Sequence, residues 1–208
     1  MSHLTVITHP LIRQSLTRLR DRRTPPREFR RALDEVATLL IYEATRSLRV
    51  REIPVETPLE TTTGWQLAHE VILVPILRAG LGMLPSILEL LPDARVGFIG
   101  VKREETTLSP HTYLQSLPPN LGDFEIIVIA PMLATGGSTA AVLDLLIAKG
   151  ARHLRVVNVL AAPEGVRHLE KQHPNVPVFT AALDRQLNDR GYILPGLGDA
   201  GARLFGTY

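Results

Sequence analysis

The chain has 208 residues, of which 45% are hydrophobic, 21% charged and 5% aromatic, and its 23 basic residues nearly balance 21 acidic ones. This composition excludes a fibrous, disordered or polycationic protein, and we expect one globular domain over residues 1–208. No cysteine is present, which excludes disulfides, thiolate metal sites, iron–sulfur clusters and cysteine nucleophiles.

Hydropathy predicts a protein that works outside membranes. No apolar run approaches the roughly 18 residues that a spanning helix needs. The first ten residues do not combine a charged region with the long apolar stretch of a signal peptide. We therefore expect a cytoplasmic protein without a membrane partner.

Residues 1–50 are predicted to form a helical amino-terminal arm. Helices are predicted over residues 11–20 and 26–48, and in the second one apolar side chains recur at helical spacing. Arginines cluster between residues 13 and 31, where they could face an acidic partner such as RNA, or form a solvated helix face or a subunit contact. The second interpretation is favoured, because Phe29 is the one aromatic residue there that could stack on a base.

Beyond a proline-punctuated extended stretch at residues 50–59, short apolar runs alternate with helical patterns. The runs are continuous, as expected of parallel strands that are buried on both faces. They are residues 71–76, 96–101, 126–130, 156–161 and 176–181, and the helical patterns are residues 83–91, 139–149 and 164–173. This order predicts an α/β fold with a mostly parallel sheet flanked by helices.

The strongest local motif follows the predicted strand at residues 126–130. A buried strand that leads through two glycines and several hydroxyls into a helix presents free N–H groups and the positive end of the helix dipole, which can bind a phosphate. The alternative is a glycine turn in which Ser138 or Thr139 simply caps the helix. The loop has no lysine, so it is not a Walker A motif, and a monophosphate fits better than a triphosphate.

An arginine, Arg78, follows the apolar strand at residues 71–76. Strand ends line the ligand crevice in open α/β sheets, so Arg78 is a candidate for binding a phosphate or diphosphate. A structural ion pair at the sheet edge is the alternative. Lys102 and Arg103 add positive charge at the start of residues 102–123, a predicted hood loop without a core pattern, where a charged, solvated loop is the alternative.

Glycines recur through the carboxyl-terminal segment, residues 183–208. Residues 196–201 match the letters G-x-G-x-x-G, but too little chain follows for the helix and acidic residue of a dinucleotide site, so we reject that interpretation. Glycines here are expected to let the main chain approach a small flat ligand. A purely structural loop is the alternative.

Four blocks of this sequence, in order and spacing, resemble the uracil phosphoribosyltransferase family. They are residues 74–83, 131–138, 161–165 and 191–201, and the resemblance runs from His9-Pro10 to Gly206-Thr207. It implies the type I phosphoribosyltransferase fold and the reaction of uracil with 5-phosphoribosyl diphosphate (PRPP) and Mg²⁺ to give UMP and diphosphate. It also implies a homo-oligomer such as a homodimer, with the amino-terminal helices as a candidate interface, and GTP is an effector of some relatives.

The resemblance also implies roles for individual residues. The expected PRPP-binding residues are Arg78, Ala79, Gly80, Arg103, Ala130, Pro131, Met132, Leu133, Ala134, Thr135, Gly136, Gly137, Ser138, Thr139 and Asp199. The expected uracil-binding residues are Ile193, Gly198, Asp199 and Ala200, and the expected catalytic residues are Arg78, Arg103 and Asp199. Asp199 would also approach Mg²⁺ through water. No residue stands out as the base that removes the N1 proton.

Two departures from the family pattern each remove a carboxylate. Ala130 stands where the family normally has an aspartate that hydrogen-bonds the ribose hydroxyls, which predicts weaker PRPP binding and slower turnover. Ala202 stands where a second aspartate is usual, so the nearby Arg203 is expected to lose a partner. A rival hypothesis is a non-catalytic or regulatory relative that keeps the nucleotide pocket and binds RNA.

Overall fold

The structure is a computed structural model that describes residues 4–103 and 110–207. Its helices are α1 Pro10–Arg20, α2 Pro26–Ala44, α3 Leu84–Leu90, α4 Gly137–Ala148, α5 Pro163–Gln172 and α6 Ala200–Phe205. Its strands are β1 Leu4–Val6, β2 Val50–Glu56, β3 Thr61–Leu67, β4 Val71–Leu77, β5 Arg95–Val96, β6 Phe98–Arg103, β7 Pro110–Ser116, β8 Glu125–Ile129, β9 Met132–Leu133, β10 His153–Ala161, β11 Val178–Leu183, β12 Gln186–Leu187 and β13 Ile193–Leu194.

The main sheet has the strand order β1-β11-β10-β8-β4-β6-β7, with β5 beside β4 and β9 beside β10. Its described pairings are parallel, except for the antiparallel pair β6–β7. The predicted α/β fold with a mostly parallel sheet is therefore confirmed. Within the described ranges, no helix combines the length and apolar character needed to cross a membrane.

The central strands bury side chains on both faces of the sheet. In β8, Ile127 and Ile129 belong to the apolar cluster that α1 and α2 cover, whereas Ile126 and Val128 belong to the cluster on the side of α4 and α5. Successive side chains of a strand point to opposite faces, so helices on both sides require apolar residues at every position. This arrangement explains the continuous apolar runs in the sequence.

The second amino-terminal helix ends earlier than the periodicity predicts. We expected a helix over residues 26–48, whereas α2 ends at Ala44. The Ala44 carbonyl accepts a hydrogen bond from the guanidinium of Arg155, a buried residue of β10 that also pairs with Glu125. A tertiary contact therefore satisfies a carbonyl at the helix end that the helix itself leaves without a partner.

The expectation of a loop over residues 102–123 is wrong in part. β6 continues to Arg103, and β7 runs back along it as an antiparallel edge strand. A Cβ at Gly100 would meet the ring of Tyr113, at 2.6 Å from Cε2, so the glycine lets this ring pack on the β6 backbone. β7 lies at the sheet edge with mostly exposed side chains, and it therefore has no apolar run. Residues 104–109 of the predicted hood lie outside the described residues.

Residues 50–59 were predicted only as an extended stretch. They contribute β2, which pairs in an antiparallel hairpin with β3. Pro54 lies within β2, opposite Thr63, and a two-stranded sheet tolerates proline because each strand has an open edge where an N–H is not needed. Because proline is unusual within a strand, the sequence analysis did not predict β2 as a paired strand.

Candidate active site

The ends of two neighbouring strands bring Arg78 close to the glycine-rich loop. β4 and β8 are parallel neighbours, with Pro75 opposite Ile129, so both strands deliver the following residues to the same edge of the sheet. Arg78 and the 3-10 turn Ala79–Gly82 follow β4, and we call these residues the Arg78 turn. A Cβ on Gly80 would lie 2.7 Å from the Ile129 carbonyl oxygen. Glycine at position 80 therefore allows the Arg78 turn to lie directly on the end of β8.

The side chain of Arg78 is exposed at this edge. Its guanidinium makes no hydrogen bond or ion pair with any residue in the described part of the chain. The alternative of a structural ion pair at the sheet edge is therefore not supported. A planar guanidinium without a protein partner is suited to bidentate binding of an oxyanion.

The loop that follows β8, residues 130–139, is called the phosphate loop here. Gly136 has φ +84°, a left-handed conformation that favours glycine, and it is the residue that precedes α4. Gly136 is the N-cap residue, and the Gly137 N–H donates a hydrogen bond of 3.5 Å to Thr135 Oγ1, so the alternative in which Ser138 or Thr139 is the N-cap is wrong. Within the described ranges, the N–H groups of Ser138 and Thr139 have no acceptor. They and the helix dipole therefore favour an anion at this end of α4.

The phosphate loop packs against the start of α5. A Cβ on Gly136 would lie 2.9 Å from the Gly165 carbonyl oxygen, and a Cβ on Gly165 would clash with the Ala134 carbonyl oxygen. Both glycines thus allow one backbone to lie on another. Next to them, the carboxylate of Glu164 accepts a hydrogen bond from the Leu187 N–H at 3.1 Å, which lowers the pKa of this carboxyl.

Residues 193–201, called the base segment here, lie beside the Arg78 turn. Gly198 and Asp199 are exposed, whereas Ile193 and Ala200 are buried. The Asp199 carboxylate caps α6 by accepting a hydrogen bond from the Ala202 N–H at 2.8 Å. α6 contains Gly201, the last glycine of the G-x-G-x-x-G pattern. The sequence analysis had treated this glycine as part of a loop.

The Arg78 turn lies between the end of β8 and α6. A Cβ on Gly201 would lie 4.0 Å from the Ala79 Cβ atom, and a Cβ on Gly82 would lie 2.6 Å from a methyl of Leu204 in α6. Together with the contact between Gly80 and Ile129, these approaches place the Arg78 turn beside Gly201 of the base segment and on the strand end that leads directly into the phosphate loop. Arg103 ends β6 at the far end of this row of strands, and its side chain lies outside the described residues.

The sequence model of the family described as uracil phosphoribosyltransferase matches residues 6–207. The chain belongs to this family. A Clostridium kluyveri protein named uracil phosphoribosyltransferase is 50% identical over 208 residues, which is 100% of both chains. A solved structure of an Aquifex aeolicus protein is 37% identical and has a TM-score of 0.92 over 98% of each chain. A hypoxanthine phosphoribosyltransferase from Staphylococcus aureus is similar in fold alone, with 11% identity and a TM-score of 0.53 over 81% of this chain and 85% of that one.

These findings confirm the resemblance to the uracil phosphoribosyltransferase family and the type I phosphoribosyltransferase fold that it implied. The four blocks that carried the resemblance also lie together. Three of them form the Arg78 turn, the phosphate loop and the base segment, and the fourth is the start of α5 on which the phosphate loop packs. Blocks that are far apart in the sequence are therefore neighbours in the fold.

Ala130 occupies the position where the family resemblance led us to expect an aspartate. It directly follows β8 and is 8% exposed. Its carbonyl accepts a hydrogen bond of 2.7 Å from the side chain of Asn158, a fully buried residue of β10. The Oδ1 atom of Asn158 has no hydrogen-bond partner among the described residues. Sequence analysis missed Asn158, although a single amide within the apolar run at 156–161 was a usable signal.

The expectation that Arg203 loses a partner is wrong. This buried residue of α6 donates hydrogen bonds to three carbonyl oxygens, those of Leu19, Leu197 and Asp21, with Leu197 at 2.8 Å and Asp21 at 2.6 Å. Its guanidinium also stacks on the ring of Phe29, 4.3 Å from the ring centroid. Main-chain acceptors and an aromatic face therefore provide what we had expected from a carboxylate.

Five of the eight arginines between residues 13 and 31 contact the protein itself. The ion pairs are Arg18 and Arg31 with Glu35, Arg20 with Asp184, and Arg23 with Asp21. Arg30 donates a hydrogen bond of 2.7 Å to the carbonyl of Leu204. These contacts favour a structural role for the arginine cluster and weaken the argument that it binds RNA.

We expect that replacing Gly165 with alanine displaces the phosphate loop. The new methyl would clash with the Ala134 carbonyl and lie 2.9 Å from the Leu133 carbonyl, and neither backbone atom can rotate away. Overpacking of this kind typically costs about 1–3 kcal/mol, so the melting temperature should fall and the KM for PRPP should rise. Thermal melts and initial rates measure both. Gly122→Ala is the control, because its methyl would lie 3.2 Å from its nearest neighbour, away from this site; equal effects of the two variants would contradict the prediction.

Proposed function

We propose that this chain transfers the 5-phosphoribosyl group from PRPP to uracil, giving UMP and diphosphate in pyrimidine salvage. The observation that carries the proposal is the position of the Arg78 turn, which lies beside Gly201 of the base segment and on the end of β8 that leads into the phosphate loop, in a member of this family. Each segment suits one part of the two substrates. The phosphate loop suits the 5′-phosphate, the Arg78 turn suits the diphosphate, and the base segment suits the flat base.

The phosphate loop is the proposed site of the PRPP 5′-phosphate. Its residues 134–139 end in the unpartnered N–H groups at the start of α4, which suit a dianion. The proposed PRPP-binding set is Arg78, Ala79, Gly80, Arg103, Ala130, Pro131, Met132, Leu133, Ala134, Thr135, Gly136, Gly137, Ser138, Thr139 and Asp199. In this set Arg78 binds the diphosphate, whose charge grows as it leaves, and Arg103 helps to cover the reacting centre.

The base segment is the proposed site of uracil. Main-chain groups at Ile193, Gly198, Asp199 and Ala200 read the edge of the ring with N–H donors and C=O acceptors. The left-handed conformation of Gly198, with φ +82°, turns the exposed main chain just before α6. A pyrimidine with alternating donors and acceptors fits such a main-chain edge.

The reaction needs no nucleophilic side chain. The bond between C1 of the ribose and diphosphate breaks, the diphosphate takes the electron pair, and an oxocarbenium-like centre forms. Uracil N1 then forms the new bond to C1 and releases its proton to water. We expect the rate to come from positioning and from neutralisation of the diphosphate, and Arg78, Arg103 and Asp199 are the proposed catalytic residues.

The residues of this site fit a magnesium ion that arrives with PRPP. The described residues contain no cluster of three or more His, Asp or Glu side chains that could hold a metal alone. Mg²⁺ commonly keeps several waters and binds one or two carboxylates together with substrate phosphates. The exposed Asp199 uses Oδ1 in the helix cap, which leaves Oδ2 for a water of the hydrated ion. When bound, the ion would neutralise diphosphate charge.

A homo-oligomer, in its simplest form a homodimer, is part of the proposal. The β2–β3 hairpin exposes Leu59 and Trp65, whose exposed fractions are 95% and 63%. Light scattering on the purified protein tests this, and a monomer mass at all concentrations would contradict it. A GTP effector and the cytoplasmic location stay predictions.

The decisive experiment incubates purified protein with labelled uracil, PRPP and Mg²⁺ and measures UMP. We expect UMP that depends on all three components. Its absence at high enzyme concentration, with a related enzyme active in parallel, would contradict the proposal. Binding of PRPP or UMP without turnover would instead favour the rival hypothesis of a non-catalytic relative. The absence of an aspartate at position 130 is the observation that supports this rival.

A further inference from the structure

Both backbone polar groups of Gly196, within the base segment, are bound by side chains from outside it. Its carbonyl accepts a hydrogen bond of 2.9 Å from Arg20 Nη1 of α1, and its N–H donates one of 2.9 Å to Asp184 Oδ2. Gly196 has φ +63°, and a Cβ there would clash with the Ile193 carbonyl oxygen. The main chain at this glycine therefore has one well-defined position.

Arg20 and Asp184 form a bidentate ion pair. The two guanidinium nitrogens of Arg20 lie 2.8 and 2.6 Å from the two oxygens of Asp184, whose side chain is 4% exposed. With the Gly196 N–H, the carboxylate accepts three hydrogen bonds, as a buried charge requires. The Asp184 N–H donates to the Ala161 carbonyl of β10 at 2.8 Å, so the pair is connected to the central sheet.

The next carbonyl of the base segment is held in a similar way. Arg203 binds the Leu197 carbonyl and also the carbonyls of Leu19 and Asp21 at the end of α1. Two consecutive carbonyls, at Gly196 and Leu197, are therefore connected to α1 by arginines. The exposed residues 198–200 follow immediately.

We propose that Arg20 and Asp184 are positioning residues for base recognition. They hold the main chain at Gly196, so that the groups of residues 198–200 meet the edge of the pyrimidine. Recognition by main-chain groups depends on the backbone position alone, and a displacement of about 1 Å can cost orders of magnitude in rate. The inference rests on the proposed assignment of uracil to the base segment. It predicts an effect on uracil and not on PRPP, because neither side chain contacts the phosphate loop or the Arg78 turn in the described structure.

The test compares the KM for uracil, the KM for PRPP and kcat in Arg20→Met, Arg20→Lys and Asp184→Asn. We expect the uracil KM to rise about tenfold or more in Arg20→Met and Asp184→Asn. Each variant loses a charge-assisted hydrogen bond to Gly196 that holds the base segment in its binding position, and the free energy of one such bond corresponds to roughly this factor. Arg20→Lys keeps the charge without the planar fork and should give an intermediate value. The PRPP KM should stay within about twofold. Arg46→Met is the matched control, because Arg46 makes a bidentate pair with Glu43 at the end of α2 and makes no hydrogen bond or ion pair with the base segment among the described residues.

Two further variants separate this inference from loss of folding and from failure of the proposed base site. Arg20→Met/Asp184→Leu leaves no buried carboxylate without its cation, so it should melt at a higher temperature than Arg20→Met alone while the uracil KM stays raised. Gly198→Ala changes the base segment itself and should also raise the uracil KM. If Gly198→Ala does so and the Arg20 and Asp184 variants do not, or raise both KM values equally, the positioning role is overturned alone. If Gly198→Ala leaves the uracil KM unchanged, the base site and this inference fail together.

Discussion

Replacing Ala130 with aspartate is expected to raise kcat/KM for PRPP by about ten- to a hundredfold. The acid would restore hydrogen bonding from the ribose hydroxyls to a charged acceptor, a gain on the order of 1.5–3 kcal/mol in total. Ala130 directly follows β8, whose last carbonyl lies under Gly80 of the Arg78 turn. The main chain at residue 130 therefore lies between the end of β8 under the Arg78 turn and the rest of the phosphate loop. Initial rates at varied PRPP measure the effect.

The control for this gain is Ala130→Asn, which has nearly the same shape without the charge. It should recover only part of the increase, because neutral hydrogen bonds are weaker than charge-assisted ones. Without PRPP, Ala130→Asp should melt at a lower temperature than the wild type, since residue 130 is 8% exposed and belongs to an apolar cluster. An aspartate variant with unchanged kcat/KM would show that position 130 does not contact the ribose.

Replacing Arg78 with methionine is expected to lower kcat/KM for PRPP by about 10²–10³-fold. Positioned donors that stabilise charge in the transition state contribute on this scale. The methionine keeps much of the apolar stem but removes the planar fork that suits a diphosphate. Because Arg78 is exposed and its guanidinium has no partner in the described structure, the melting temperature should stay within about 2 °C, in line with small effects of surface substitutions.

Arg152→Met provides the matched control for Arg78. Arg152 is also exposed, but it precedes β10 and lies at the opposite edge of the sheet. The Arg152→Met variant should retain the wild-type kcat/KM for PRPP. A loss of less than about threefold in Arg78→Met, with PRPP saturation curves unchanged, would remove Arg78 from the diphosphate site.

The order of strands and helices could be predicted because the sheet is covered on both faces. Strands such as β8 must then be apolar at every position, and such runs stand out from the intervening helical patterns. Edge elements carry no comparable pattern. β7 exposes most of its side chains, and β2 contains Pro54, so both escaped prediction for the same physical reason: neither has two buried faces.

The site was predictable where main-chain chemistry determines the residue type. Glycine at position 136 is required by a left-handed backbone, and glycine at position 80 by a carbonyl 2.7 Å from its added Cβ. The supporting contacts of the base segment were not predictable. Arg20 meets Asp184 across 164 residues of sequence, and Arg203 binds carbonyls, which every residue possesses, so no spacing or residue type marks either contact.

The contacts of Arg20 and Arg203 also bear on how the protein moves. Any fluctuation that detaches the end of α1 breaks the hydrogen bonds to Gly196 and Leu197 at the same moment. The outer helix and the base segment therefore form one cooperative unit of local unfolding, and their amide hydrogens are expected to exchange with solvent together. Selectivity for the base would then be lost through opening of an outer layer, while the central strands remain folded.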